Sequence, residues 1–339
     1  MKIVREIFGE IDGKDVYSFT LTNEGIEVCL IEYGAAVKSI IVQGREKQPV
    51  SVALGLETLE DYQKNIFFLG AICGRHANRI EDAEFQLNGL SYSLEKNDGD
   101  NSLHSGANGF HSHVFAGREI VNGVEFSLRS EAFDQGFPGN VDFVVTYTLT
   151  QENGLRISYR AVSDADTVCN PTSHAYFNLE SGGSVLDHTL TIEADFYTPV
   201  TPDAIPTGEI LSVAGTPFDF TSERRIGQAI EEQISPVEAG YDHNFVLRGS
   251  GPRRIATIAA PNSGVVMEVL SDLPGLQFYS GNFLTGYSYP NGNPGGKHSG
   301  FCLETQYFPN SLRYSHFPQP ILRAGEVFES FTEYRFSAR

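Results

Sequence analysis

Five short stretches of the chain crowd histidine, arginine, asparagine and carboxylate side chains against aromatic residues, and these are the types that bind polar ligands or exchange protons. They are Gly74-Arg75-His76-Ala77-Asn78-Arg79-Ile80, Asn101-Ser102-Leu103-His104-Ser105-Gly106, Asn170-Pro171-Thr172-Ser173-His174-Ala175-Tyr176-Phe177-Asn178, Tyr241-Asp242-His243-Asn244 and Gly300-Phe301-Cys302-Leu303-Glu304-Thr305-Gln306. In the last, Phe301 and Leu303 alternate as in a strand, and Glu304 falls where that strand is expected to leave the core, a place where a carboxylate is costly unless solvated or paired. Taken alone, Glu304 reads as a strand-end carboxylate in water, and His174 as a hydrogen-bonded structural histidine.

Two further patterns are weaker. Gly292-Asn293-Pro294-Gly295-Gly296-Lys297-His298 resembles a phosphate loop, but its glycines are too close together and His298 stands where Ser or Thr would hold magnesium, so it reads as a glycine-rich surface loop. His111 and His113, if they lie on a strand, share one face as half of a metal site, yet no carboxylate or cysteine pattern completes it, and no metal is expected.

The elements that must position these residues are strands. Thirty-four glycines and sixteen prolines punctuate short segments rich in Val, Ile, Thr, Tyr and Phe. Phe85 to Leu94 alternates on both sides of Asn88-Gly89, a pair suited to a type I′ hairpin turn. Val141, Phe143, Val145, Tyr147 and Leu149 alternate up to Glu152-Asn153-Gly154, and Leu155, Ile157, Tyr159 and Ala161 alternate back. Further strands are expected at 188–197, 254–260, 264–270, 275–280 and 327–336, with short helices at Thr58–Asn65 and Arg224–Gln233. With no charged or low-complexity linker, the expectation is a single all-β domain over residues 1–339, a large antiparallel β-sandwich with few short helices.

Composition narrows the partners. Among 339 residues, 24 are Lys or Arg and 43 Asp or Glu, a formal net charge of −19 that repels nucleic acid and anionic lipid. No apolar run approaches the roughly 20 residues of a membrane-spanning helix, and the N-terminus lacks a signal-peptide core, so a cytoplasmic location is expected. The four cysteines, Cys29, Cys73, Cys169 and Cys302, are far apart in sequence and read as free, mostly buried thiols. No heptad or other assembly pattern decides between monomer and homodimer.

Taken together and in this order, the five clusters resemble those of the aldose 1-epimerases, the galactose mutarotase family. The resemblance extends from Leu54-Gly55-Leu56-Glu57-Thr58-Leu59-Glu60-Asp61-Tyr62 through Phe68-Leu69-Gly70-Ala71-Ile72-Cys73-Gly74-Arg75, Pro274-Gly275-Leu276-Gln277-Phe278-Tyr279-Ser280-Gly281-Asn282 and Phe308-Pro309-Asn310-Ser311-Leu312 to Gly325-Glu326-Val327-Phe328. It implies a large β-sandwich with an open sugar cleft that interconverts the α and β anomers of a free monosaccharide without a cofactor. Carried over residue by residue, it makes Glu304 the general base and His174 the general acid, with Asn78, Arg79, His104, Tyr176, Asp242 and Gln277 lining the sugar site. Ser105 stands where the family usually repeats glycine, His76 where a less polar residue is common, and Phe115 where Trp is frequent, which bears on substrate preference.

The chemistry so implied suits the residue types. Opening a cyclic hemiacetal takes a proton from the C1 hydroxyl and gives one to the ring oxygen, so a carboxylate and an imidazole suffice, the latter expected to be held protonated by a nearby carboxylate. Tyr176 or Phe177 is expected to stack on the apolar sugar face. Three alternatives stand beside this reading: a glycosidase built on Asp242 and Glu304, a sugar-6-phosphate epimerase using Arg75 and Arg79, and a sugar-binding protein without catalysis.

Overall fold

The computed structural model describes residues 1–230, 240–285 and 295–339. Three antiparallel sheets carry the architecture: five strands from the N-terminus, nine strands in the middle of the molecule, and six strands that hold half of the sugar-site candidates, Tyr176, Asp242, Gln277 and Glu304. The five strands run in simple succession, Lys2–Ile11, Lys14–Thr22, Ile26–Ile31, Val37–Gln43 and Pro49–Ser51.

The nine-stranded sheet contains the alternating hairpin expected from the sequence. Val141–Leu149 pairs with Gly154–Ser163, and Val141, Phe143, Val145, Tyr147 and Leu149 are all buried while their neighbours are not fully so. The C-terminal strand Val327–Ala338 lies between Gly154–Ser163 and Val265–Ser271 and closes the middle of the sheet. Its inner residues join Phe19, Leu21 and Val28 of the first sheet and Phe245, Phe278, Phe301 and Leu303 of the third in a continuous apolar core. This is the face-to-face layering that buries one side of each sheet. The chain is a large antiparallel β-sandwich with few helices.

The smaller hairpin is also as expected. Glu84–Leu87 pairs with Leu90–Ser93, and Asn88 and Gly89 between them have φ of 54° and 77°, the signature of a type I′ turn. Within Thr58–Asn65 a short helix forms at Leu59–Gln63, capped by the reciprocal Thr58–Asp61 bonds of a capping box.

Other expectations are corrected. Residues 188–197 do not form one strand: Thr189–Ile192 belongs to the nine-stranded sheet and Ala194–Thr198 to the six-stranded one, so the chain changes layer at Glu193. Arg224–Gln233 does not form the expected helix. Arg224–Arg225 pairs at a sheet edge and Ile226–Ala229 is a single 3₁₀ turn whose Gly227 disfavours a longer helix, while positions beyond 230 lie outside the described residues. His111 and His113 are not on a strand either, because Phe110–Ser112 is a 3₁₀ turn. His111 packs against Phe68, whereas His113 turns outward to the Asn108 carbonyl. Of the glycine-rich stretch, 292–294 lie outside the described residues, and His298 is buried with Nδ1 against the Ser280 carbonyl. Cys73, Cys169 and Cys302 are buried free thiols and Cys29 is partly buried.

Gly70 joins the first sheet to the site. Its amide donates to the His174 carbonyl at 3.0 Å and its carbonyl accepts from Val37 at 2.9 Å, with φ at 73°. A Cβ here would stand 2.1 Å from the Val37 carbonyl oxygen. Gly70→Ala should therefore destabilise by about 1–3 kcal/mol from the backbone alone, with the steric clash adding to this. Chemical denaturation checks it, and a variant as stable as wild type would contradict the assignment.

Candidate active site

The side chains of a strand alternate, so one strand of the six-stranded sheet sends Phe301, Leu303 and Thr305 to the core and Cys302, Glu304 and Gln306 to the opposite face. Register then assembles the rest: Glu304 lies opposite Gln277, Gln277 opposite Asn244, Tyr279 opposite Asp242, and Cys302 opposite Tyr176. Glu304 is thus a mid-strand residue and not the solvated strand end that its local sequence suggests. All six residues of Phe301–Gln306 are buried, because loops cover the second face as well.

Those loops carry the other clusters. Arg79 pairs with Leu103, which places Asn78 and His104 side by side. The Asn78 amide donates to His104 Nδ1 at 3.1 Å, and the His104 amide donates to the Asn78 carbonyl at 3.1 Å. Both residues, with Ser105, have φ between 51° and 68°, a left-handed region that non-glycine residues occupy when their surroundings hold them there. Ser105 closes the join, receiving the His76 amide on its hydroxyl at 2.8 Å.

Asn78, Arg79, His104, His174, Tyr176, Asp242 and Glu304 line one pocket of about 220 Å³. His174 Nε2 and Glu304 Oε2 are 3.8 Å apart. Arg79 donates from Nε to Asp98 at 2.7 Å and reaches Asp242 with Nη1 at 3.8 Å. Gln277, expected to line the site, lies beside Glu304 across the sheet on the same face and donates to Asp242 Oδ1 at 2.7 Å. Phe177 is not available to a sugar, since alternation turns it into the core against Phe301 and Tyr334. Tyr176 lines the pocket but stacks on His174, ring centres 5.0 Å apart.

Local sequence did not single out Ile66, Phe67, Phe68, Leu103, Tyr279 and Phe283 as lining residues. Phe68 is central among them: it has φ of 56°, and its ring meets His104, His111 and His174 at 4.6, 4.7 and 5.9 Å between centres. The apolar run Phe67-Phe68-Leu69 between a helix and a strand is the signal that marks it. Arg75 lies away from the pocket. Buried, it donates to the Ser130 hydroxyl at 2.7 Å and to the carbonyls of Glu131, Pro138 and Gly139 at 2.8–3.0 Å, binding the 130–139 loop to the segment that precedes Asn78.

Burial dominates the electrostatics. It raises Glu304 well above the ordinary carboxylate range, with Asp242 adding to the rise and Arg79 opposing it. It pushes His174 down to about 4 and His104 well below the ordinary imidazole value. Burial thus opposes both the carboxylate form of Glu304 and the imidazolium form of His174. Ligand atoms of His104, His174 and Glu304 lie within 4.8 Å of one another. With Nδ1 accepting from Asn78, however, neutral His104 carries its proton on Nε2 and offers the pocket an N–H donor, not a lone pair for a metal.

A layered β-sandwich with an acid–base pair in a small, hydroxyl-matching pocket is the frame of a monosaccharide-acting protein. Comparison with known proteins gives its family: the sequence model of the aldose 1-epimerases matches residues 17–335, and the chain belongs to that family. It is 40% identical over 344 residues to a galactose mutarotase of Bos taurus, covering 99% of both chains. It is 38% identical to an aldose 1-epimerase of Escherichia coli strain K12, covering 96% of this chain and 97% of that one. Among solved structures, a galactose 1-epimerase from Lactobacillus acidophilus superposes with a TM-score of 0.88 at 30% identity, covering 99% of each chain.

The raised Glu304 has a measurable cost. Its folded-state proton affinity exceeds the unfolded one, so stability is complete below the ordinary carboxylate range and is lost as pH rises through the raised value. Glu304→Gln should melt higher than wild type near about pH 8, the gap closing toward about pH 4. Equal melting temperatures at both ends would contradict the burial cost.

Proposed function

We propose that this chain is an aldose 1-epimerase, a mutarotase that interconverts the α and β anomers of free aldohexoses such as galactose and glucose. The observation that carries the reading is Glu304 Oε2 facing His174 Nε2 across 3.8 Å in a pocket whose lining combines the hydroxyl-binding groups of Asn78, Arg79, His104 and Asp242 with apolar and aromatic side chains. Glu304 Oε2 has no hydrogen-bond partner among the described residues and is free to receive one from a sugar.

The steps balance on these two side chains and the sugar's own protons. The Glu304 carboxylate removes the O1 proton while His174 gives its Nε2 proton to O5, and the C1–O5 bond breaks to leave an aldehyde. Rotation about C1–C2 presents the other carbonyl face. O5 then attacks C1, returning its proton to His174 as Glu304 returns one to O1. This order starts with the shared proton on His174. Arg79, which favours the Glu304 carboxylate, and an O1 hydroxyl donating to it both work against the burial that disfavours that carboxylate.

Arg79, Asp242, Asn78 and His104 fix the ring: Arg79 is set by Asp98, Asp242 by Gln277, and His104 by Asn78 as a donor. The glycosidase alternative loses ground because Asp242 is already engaged by Gln277 and Arg79. The 6-phosphate alternative loses Arg75 to the core. It also meets an adjoining groove of about 740 Å³ whose lining includes Glu81, Asp82, Asp98, Asp100 and Asp203. Four free thiols suit a reducing, cytoplasmic compartment, and one domain over residues 1–339 fits the continuous core.

Polarimetry of freshly dissolved α-D-galactose and α-D-glucose tests the reading. The protein should speed the approach to the same equilibrium rotation, and Glu304→Gln or His174→Asn should each lower turnover by about 10²- to 10⁴-fold. Galactose 6-phosphate should be neither substrate nor strong competitor. Acceleration retained in both variants would remove the assigned pair.

A further inference from the structure

Building on that acid–base reading, we propose that the Cys302 sulfur is a positioning group for His174, accepting a hydrogen bond from the ring's Nδ1–H so that Nε2 alone exchanges protons with the sugar. Cys302 Sγ lies 3.5 Å from His174 Nδ1. Because Cys302 and Glu304 are two residues apart on one strand, the same strand face addresses both ring nitrogens: sulfur at Nδ1, carboxylate at Nε2. Tyr176, paired with Cys302 across the sheet, completes the seat by stacking on the imidazole at 22° with its hydroxyl within hydrogen-bonding reach of the thiol.

The reaction explains why this acceptor matters. After His174 gives its Nε2 proton to O5, the neutral ring can take a proton back at Nε2 only if the remaining proton stays on Nδ1. An acceptor at Nδ1 selects that tautomer. His104 is set the opposite way, its Nδ1 accepting from the Asn78 amide at 3.1 Å, so its neutral ring keeps a proton on Nε2. The two neighbouring imidazoles, 5.1 Å apart, are thereby given different work: one holds the sugar and one turns its proton over.

Sulfur also suits a reaction that runs as readily backward as forward. A carboxylate at Nδ1 would favour the imidazolium strongly and slow return of the proton to O5. The Cys302 thiol is fully buried and, kept uncharged by that burial, is only a weak acceptor. It orders the ring with little effect on its proton affinity.

Nitrogen-15 NMR of histidine-labelled protein reads the tautomer directly, and steady-state polarimetry reads its consequence. In the wild type, neutral His174 should carry its proton on Nδ1. In Cys302→Ala that preference should be lost and kcat should fall about 10- to 100-fold, with KM within about twofold. Cys302→Ser, whose hydroxyl oxygen accepts in the same place, should restore the tautomer and most of kcat. A wild-type ring protonated on Nε2 overturns the proposal even if no variant folds. So does a Cys302→Ala protein that melts lower but turns over at the wild-type kcat, since that is the signature of packing alone. Failure of the wild type to accelerate any aldose would refute the acid–base reading separately, because the ring's protonation is measured without sugar.

Discussion

A carboxylate withdrawn from water with one oxygen unanswered is the constraint around which this molecule is arranged. Glu304 is 2% exposed and its Oε2 has no hydrogen-bond partner among the described residues. Burying a carboxylate with so few partners costs several kcal/mol, burial accordingly favours its neutral form, and a fold selected for stability alone would place Gln or Leu there. The fold instead supplies a large core on the other face of the same strand, where Phe301 and Leu303 join the apolar residues of two further sheets. Stability gained on one side of a strand offsets the proton-binding group held on the other. The period of two makes this possible, since neighbouring residues of one strand belong to different environments.

The cations near the site are used unequally, and this shapes the pocket's charge. Arg75 and Arg79 are four residues apart, yet one serves the scaffold and the other the site. Arg75 satisfies a bundle of carbonyls in the 130–139 loop with no carboxylate in contact, a use that suits the planar five-donor guanidinium and would not suit lysine. Arg79 lies between Asp98 and Asp242, which hold its charge beside the pocket without burying it unpaired. With the acidic lining of the adjoining groove, Arg79 is the one cation lining the pocket among the described residues and is largely compensated, a charge balance that suits a neutral polyol better than a phosphate.

Much of this was legible from sequence where the controlling physics is local. Asn88-Gly89 and the alternation of 141–161 depend on turn chemistry and periodicity, and both hairpins form in the expected register. The clusters that converge on the pocket were legible as a set because their order and company resemble a family pattern. What was not legible depends on contacts distant in sequence. The burial of Glu304 requires loops from residues 66–79 and 103–104 to cover its strand, and nothing in Phe301–Gln306 announces them. The split at Glu193 depends on which sheet each half meets, and Gln277 reaches Asp242 because a cross-strand register sets it beside Glu304. Arg75 stands in one of the five candidate clusters because arginine beside histidine and asparagine looks functional. Only the 130–139 loop, 55 or more residues away, shows otherwise.

A mutarotase must admit two substrates that differ only at C1, and that requirement dictates how the pocket divides its labour. Contacts that fix O1 in a single orientation would favour one anomer and leave the enzyme saturated with it, so discrimination has to fall on the rest of the ring. The geometry has this asymmetry. The groups held by second partners, Arg79 by Asp98, Asp242 by Gln277 and His104 by Asn78, are fixed donors and acceptors suited to hydroxyls that do not change. The groups left without such fixing at their reactive atoms are Glu304 Oε2 and His174 Nε2, 3.8 Å apart. A pair that must exchange roles at every turnover gains from being bound by little else, and the unsatisfied carboxylate that burdens folding is the same feature that leaves the anomeric end open to either hand.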